Sequence, residues 1–168
     1  MSNPGNATIP DGEGEGTIID DDNPPTISIG DAPAVTEGNR GTTNAVFTVT
    51  LSAESGLDVS VDFASSNGTA EAGGDYVSTN GTLTIPAGET NGTITVVVNG
   101  DTSDEPDNEN FYVNLSNPTN VTITGGQGKG TITDDDWELS INDVTVTEGN
   151  AGTTNAVFTV TLSSTNSV

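Results

Sequence analysis

Thr36–Leu51 reads TEGNRGTTNAVFTVTL, and Thr147–Leu162 reads TEGNAGTTNAVFTVTL. One residue differs, at an offset of 111. The last seven residues of the first stretch decide the fold. Ala45, Phe47, Val49 and Leu51 alternate with Val46, Thr48 and Thr50, the period of two that gives a strand one apolar face and one polar face. Working outward, the same alternation predicts strands over Thr26–Ile29, Ala34–Glu37, Val59–Ala64, Gly81–Ile85, Thr93–Val98, Phe111–Leu115 and Gly130–Thr133. Gly, Asn, Asp and Pro fill the gaps, at Asn67-Gly68, Asn80-Gly81, Pro86–Gly88, Asn91-Gly92 and Asn117-Pro118, where tight turns need positive or fixed φ. No window repeats at helical spacing. The expected fold is all-β, an antiparallel Greek-key sandwich of the immunoglobulin-like kind with about seven strands.

A second echo pairs Gly16–Asp22, GTIIDDD, with Gly130–Asp136, GTITDDD, at an offset of 114. Together the echoes divide the chain. Residues 1–22 are the C-terminal tail of a preceding repeat, residues 25–136 a complete repeat, and residues 137–168 the N-terminal head of a following, truncated one. Neither end holds a full set of strands. Each is expected to be disordered or to borrow an edge, since a lone two-strand element is marginal in water.

Charge narrows the function. Asp and Glu number 25 against two cations, Arg40 and Lys129, for a net charge of −23, so a phosphate backbone would be repelled and nucleic acid is no partner. Direct membrane insertion is not expected either, because no apolar run nears the roughly 20 residues a span requires. The absence of Cys and His removes zinc sites, thiol nucleophiles and Ser–His–Asp triads. Paired carboxylates can serve glycoside hydrolysis, but no cleft-forming insertion or aromatic platform accompanies them, and the chain reads as no enzyme.

In the complete repeat the acids gather at Glu37, at Asp75, between Asp101 and Glu109, and at Asp134–Asp136. Three consecutive Asp repel one another with almost no cation to pair them. A hard divalent ion would relieve this, and calcium accepts six to eight oxygens in a flexible geometry. Asp11–Asp22, DGEGEGTIIDDD, imitates an EF-hand loop, but its counterpart Gly125–Asp136 carries Gly125, Gln127 and Lys129 at positions 1, 3 and 5. Only the Asp triplet recurs, so the match is coincidental.

Glu37-Gly38, Gly68-Thr69-Ala70, Ala72–Tyr76 (AGGDY), Gly81–Ile85 (GTLTI), Pro86–Thr90 (PAGET), Glu109-Asn110-Phe111 and Thr131–Asp136 (TITDDD) occur in that order. This series resembles the Calx-β repeat of sodium–calcium exchangers, integrins and large bacterial surface proteins. The resemblance implies a seven-stranded sandwich with calcium in the loops at one end. It carries ligand roles onto Glu37, Asp75, Asp101, Glu105, Glu109, Asp134, Asp135 and Asp136. Two departures stand out: Gly100 where a second acid commonly precedes Asp101, and a step of four from Glu105 to Glu109 with Pro106 inside. One or two ions are therefore expected, with Asp104 or Asp107 as substitutes. Tyr76 is expected to pack in the core, and Trp137 to pack at the junction with the next repeat.

The expected function is a calcium-binding structural or adhesive repeat of an extracellular or cell-surface protein, bacterial by composition. Its partners would be calcium and neighbouring repeats of the same chain. The alternatives are a homo-polymer joined by strand exchange and a regulatory calcium sensor.

Overall fold

A computed structural model describes residues 5–17 and 23–163. Among them there is no helix. Nine strands form the sandwich: β1 Thr26–Ile29, β2 Val35–Thr36, β3 Gly41–Leu51, β4 Val59–Asn67, β5 Asn80–Ile85, β6 Asn91–Gly100, β7 Asn108–Thr119, β8 Thr122–Gly125 and β9 Gln127–Thr133. One sheet runs β6-β3-β1-β8 and the other β2-β9-β7-β4-β5. The chain changes sheet at every connection except β4–β5, the crossing habit of Greek keys.

The alternation in β3 is what the structure uses. Ala45, Phe47, Val49 and Leu51 are buried, whereas Val46 on the opposite face is exposed. Opposite them in the second sheet lie Val59, Val61, Phe111, Val113 and Ile132. The Phe111 ring is the hub. It stacks on Tyr76 with centroids 4.6 Å apart and meets Phe47 edge-on at 5.9 Å. Tyr76, fully buried, is thus the packing residue expected, and its hydroxyl donates to Asn67 Oδ1 at 2.6 Å. Glycine opposite the hub is a steric requirement: a Cβ at Gly130 would lie 2.4 Å from the Phe111 ring.

Several expectations need correction. Two pairings are parallel, β1 with β8 and β2 with β9, so the sandwich is mixed at those edges. The inward alternation of the predicted strands Val59–Ala64 and Gly81–Ile85 buries Phe63 and Leu83 only partly, packed against the core; Phe63 faces Gly81 across the β4–β5 edge and its ring covers that glycine. The eight predicted strands lacked β8, whose TITG is short and breaks register against β1 at a bulge. Trp137 does not pack at a junction among the described residues: it is 56% exposed.

Beyond the sandwich, β10 Leu139–Ile141 and β11 Val160–Leu162 pair with each other and not with a sandwich edge. Residues 5–17 contain no strand. Asp20–Asp22, the end of the apparent EF-hand window, lie outside the described residues.

Candidate metal centre

The parallel β2–β9 pairing builds one half of the site. Val35 opposes Ile132 and Thr36 opposes Thr133, so the next residues, Glu37 and Asp134, leave the sheet in step. Glu37 N–H donates to the Thr133 carbonyl at 3.2 Å. Gly38 and Gly41, at φ 78° and 84°, then turn the chain sharply into β3, a conformation that favours glycine. On the other side the Asp triplet coils on itself: Asp136 N–H donates to Asp134 Oδ1 at 2.9 Å, and Asp135 Oδ1 accepts from Gly38 N–H at 2.9 Å. Glu37, Asp134 and Asp136 each offer an oxygen within 4.8 Å of the others, and all three are buried.

This triad is short of partners. Glu37 Oε1 and Asp136 Oδ2 are buried with no hydrogen bond at all. The charges acting on Glu37, those of Glu105, Asp134, Asp101 and Asp136, are all negative. Burial first, and those charges second, push its carboxyl from an ordinary 4.5 up to about 8. Buried acids with unpaired oxygens are costly, and a cation is what such a donor set lacks.

A second cluster lies beside the first. Asp75, Glu105 and Glu109 bring an oxygen each within 4.8 Å of one another, half-buried. Asp75 is presented by a tight loop: Gly73 has φ 101°, Glu71 N–H donates to Asp75 Oδ2 at 2.6 Å, and Asn99 N–H donates to the Asp75 carbonyl at 2.9 Å. Glu109 sits at the start of β7, two residues before Phe111, and Tyr76 follows Asp75, so both acids are anchored on the aromatic hub. Burial and then the Asp75 charge raise Glu109 to about 7, and burial raises Glu105 as well. The two clusters are tied together, because Glu105 N–H donates to Asp134 Oδ2 at 3.0 Å. Glu71, Asp75, Asp104, Glu105 and Glu109 line an open recess of about 360 Å³. A recess of about 380 Å³ beside Pro24, Pro25 and Leu57 has one acid, Glu54, and no comparable donor set.

Six of the eight expected ligands thus fall into two triads. Asp135 spends one oxygen on Gly38. Asp101 belongs to neither triad, though its charge reaches Glu37 and Glu105: it is exposed, with Oδ1 accepting from Ser103 N–H at 2.7 Å, its carboxyl held below the usual range by that bond. Of the substitutes, Asp104 accepts from Ser163 Oγ at 2.8 Å and lines the recess. The missing acid at Gly100 has a steric cause, since a Cβ there would lie 2.1 Å from the Gly38 carbonyl and 2.7 Å from that of Glu37. Two contributors escaped the sequence reading: Asn39, whose amide donates to Asp136 Oδ1, and Glu71, whose charge helps raise Glu109. The only signal for Glu71 was its place four residues before Asp75.

A pH dependence follows. Glu37 and Glu109 bind protons more tightly folded than unfolded, so the metal-free fold is favoured at low pH and loses that stability as pH rises from about 4.5 towards 7–8. In chelator, the melting midpoint should fall between about pH 5.5 and pH 8. Glu37→Gln should flatten the slope, and a midpoint rising with pH over that interval would contradict the assignment.

The architecture is not private to this chain. An apo-form Calx CBD1 domain is 27% identical with a TM-score of 0.53, over 66% of this chain and 99% of that one. CBD12 from CALX1.2 is 27% identical at TM-score 0.59, over 71% and 48%. The structure described as calcium binding domain CBD12 of CALX1.1 is 27% identical at TM-score 0.58, over 70% and 49%. The chain therefore spans about half the length of those last two. Among curated protein sequences none matches. The family model described as the Calx-beta domain covers residues 20–136, from the stretch before β1 through the last Asp of the buried triad, and the chain belongs to that family.

Proposed function

We propose that this protein is a calcium-binding structural module. The observation that carries the reading is the buried triad Glu37, Asp134 and Asp136, with two oxygens that no donor satisfies. Oxygen-only donors of this kind suit calcium, which tolerates the irregular geometry of loops better than magnesium's tight octahedron. Glu37, Asp134 and Asp136 would hold one ion and Asp75, Glu105 and Glu109 another, with Asp101 and Asp135 at the margin. The bound cation would neutralise charge that otherwise holds the loops apart. The resemblance to a domain described as calcium binding supports the same ion.

The acids act here as ligands and not as catalytic groups, so the module is no enzyme. Its place would be a repeat in an extracellular or cell-surface array, with calcium stiffening the end from which the next repeat departs. The support is the near-identity of Thr36–Leu51 with Thr147–Leu162, which favours a spacer of like units. No described helix is long and apolar enough to cross a membrane. A regulatory sensor is the second reading, favoured by the Calx likeness.

Calorimetric titration with calcium tests the proposal. Two sites are expected, with affinities of about 10⁻⁵–10⁻³ M, from the weak limit of sensor sites through the range of extracellular modules. Proton release should grow as pH falls, because protonated Glu37 and Glu109 must ionise to ligate. No heat beyond that of magnesium at matched ionic strength would overturn the reading.

A further inference from the structure

The loop that carries Asp75 leaves β4 after Asn67 and meets β6 of the opposite sheet, where Val77 N–H donates to the Val97 carbonyl at 2.8 Å. Both sheets therefore bear on where that carboxylate sits. Internally the loop is closed by its own bonds. Gly73 N–H donates to the Tyr76 carbonyl at 2.8 Å, Asp75 N–H to the Glu71 carbonyl at 3.1 Å, and Glu71 N–H to Asp75 Oδ2 at 2.6 Å. Residues 71–76 form one piece, and the last bond commits one Asp75 oxygen and so aims the other. The facing ligand, Glu109, is tied to the same loop through its neighbour: Asn110 N–H donates to Thr69 Oγ1 and Ala70 N–H to the Asn110 carbonyl, both at 2.9 Å.

Two side-chain amides fasten the piece, one from each sheet. Asn67, the last residue of β4, lies opposite Phe111 in the β4–β7 ladder. Its Oδ1 accepts from the Tyr76 hydroxyl at 2.6 Å and from Ala72 N–H at 3.0 Å. A backbone N–H only donates, so Asn67 works as an acceptor, and the fully buried Tyr76 hydroxyl needs that partner. Asn99, near the end of β6, works through the other end of its amide. Its Nδ2 donates to the Gly74 carbonyl at 2.6 Å while its backbone N–H donates to the Asp75 carbonyl at 2.9 Å. A carbonyl only accepts, so Asn99 works as a donor.

We propose that Asn67 and Asn99 are positioning residues for the second cluster, the first by accepting and the second by donating, and that together they hold Asp75 against Glu105 and Glu109. The proposal rests on the reading of that cluster as a cation site. Aspartate substitution separates position from charge. At either place it adds one negative charge beside the same loop at nearly unchanged shape. At 67 it keeps an acceptor for Ala72 and Tyr76, whereas at 99 it sets a carboxylate against the Gly74 carbonyl. A plain charge effect would move both variants the same way, and positioning moves them apart.

Calcium titration of the full chain in an Asp136→Asn background, where the buried triad is dismantled, reads the second cluster alone. Asn67→Ala and Asn99→Ala should each weaken it about tenfold or more, the usual cost of losing an outer partner of a metal ligand. Asn67→Asp should restore most of that loss, and Asn99→Asp should bind no better than Asn99→Ala. In an Asp75→Asn background, which leaves the buried triad, neither alanine substitution should change the affinity. Hydrogen exchange in chelator supplies a readout that needs no metal. Ala72 N–H should lose protection in Asn67→Ala and keep it in Asn67→Asp, and the N–H of residue 99 should lose protection in both Asn99 variants. Asn99 is only half-buried, so its pair of variants keeps the test decisive should Asn67→Ala fail to fold. Aspartate variants that move together would overturn the proposal, as would undiminished affinity in both alanine variants. If the unaltered chain took up no calcium, the cation reading would fall, and the exchange results would still decide whether these amides hold the Asp75 loop.

Discussion

Saturating calcium is expected to raise the melting midpoint of the central unit by on the order of 15–20 °C, the largest change any ligand should produce. Each site filled at about 100 times its dissociation constant contributes about 2.7 kcal/mol, so two sites contribute about 5. A sandwich of this size should move about 4 °C per kcal/mol. The gain is this large because the metal-free state is handicapped: Glu37 Oε1 and Asp136 Oδ2 sit buried without a donor, and Glu37 is surrounded by negative charge. Asp136→Asn should remove about half of the increment by dismantling the buried triad, and Asp75→Asn the other half. Asp11→Asn, in the coincidental EF-hand window, should change neither midpoint nor increment. The measurement is a melting curve in calcium, in chelator and in magnesium at one ionic strength. Equal midpoints in all three would reduce the acids to a solvated surface.

How far this site was legible differs from residue to residue. Local period fixed β3, and the buried face at Ala45, Phe47, Val49 and Leu51 is the one alternation predicted. The Asp triplet could be singled out because the repeat preserves it while the EF-hand acids vanish. The division into two triads could not be read. It depends on a parallel pairing between β2 and β9, which sequence alternation does not distinguish from an antiparallel one. The place of Asp101 outside both triads could not be read for a related reason: its turn satisfies one of its oxygens locally through Ser103 N–H, and a local bond of that kind competes with ligation. Gly100 looked like a lost ligand and is a contact point between backbones, a fact that only the approach of Gly38 discloses. Trp137 shows the opposite limit, since a large aromatic predicts burial only when something lies across from it.

Phe111→Ala is expected to cost about 3–5 kcal/mol, the range for emptying a fully buried aromatic site. The sandwich has little with which to refill the space. Tyr76 stacks on the ring at 4.6 Å and is tethered through its hydroxyl to Asn67, while Phe47 is held edge-on by β3. Gly130, directly beneath, has no side chain to move in. The same ring supports the metal centre from below, because Glu109 lies two residues before it on β7 and Asp75 directly precedes Tyr76. Loss of the ring should therefore lower calcium affinity at Asp75, Glu105 and Glu109 more than at Glu37, Asp134 and Asp136, which rest on the β2–β9 pairing. Urea unfolding in chelator measures the first effect, and calcium titration of the still-folded variant measures the second. A loss below about 1 kcal/mol would mean that the neighbours collapse into the cavity. Equal weakening of both sites would mean that the two triads respond as one unit, coupled through the Glu105 N–H bond to Asp134, and not through their separate footings in the core.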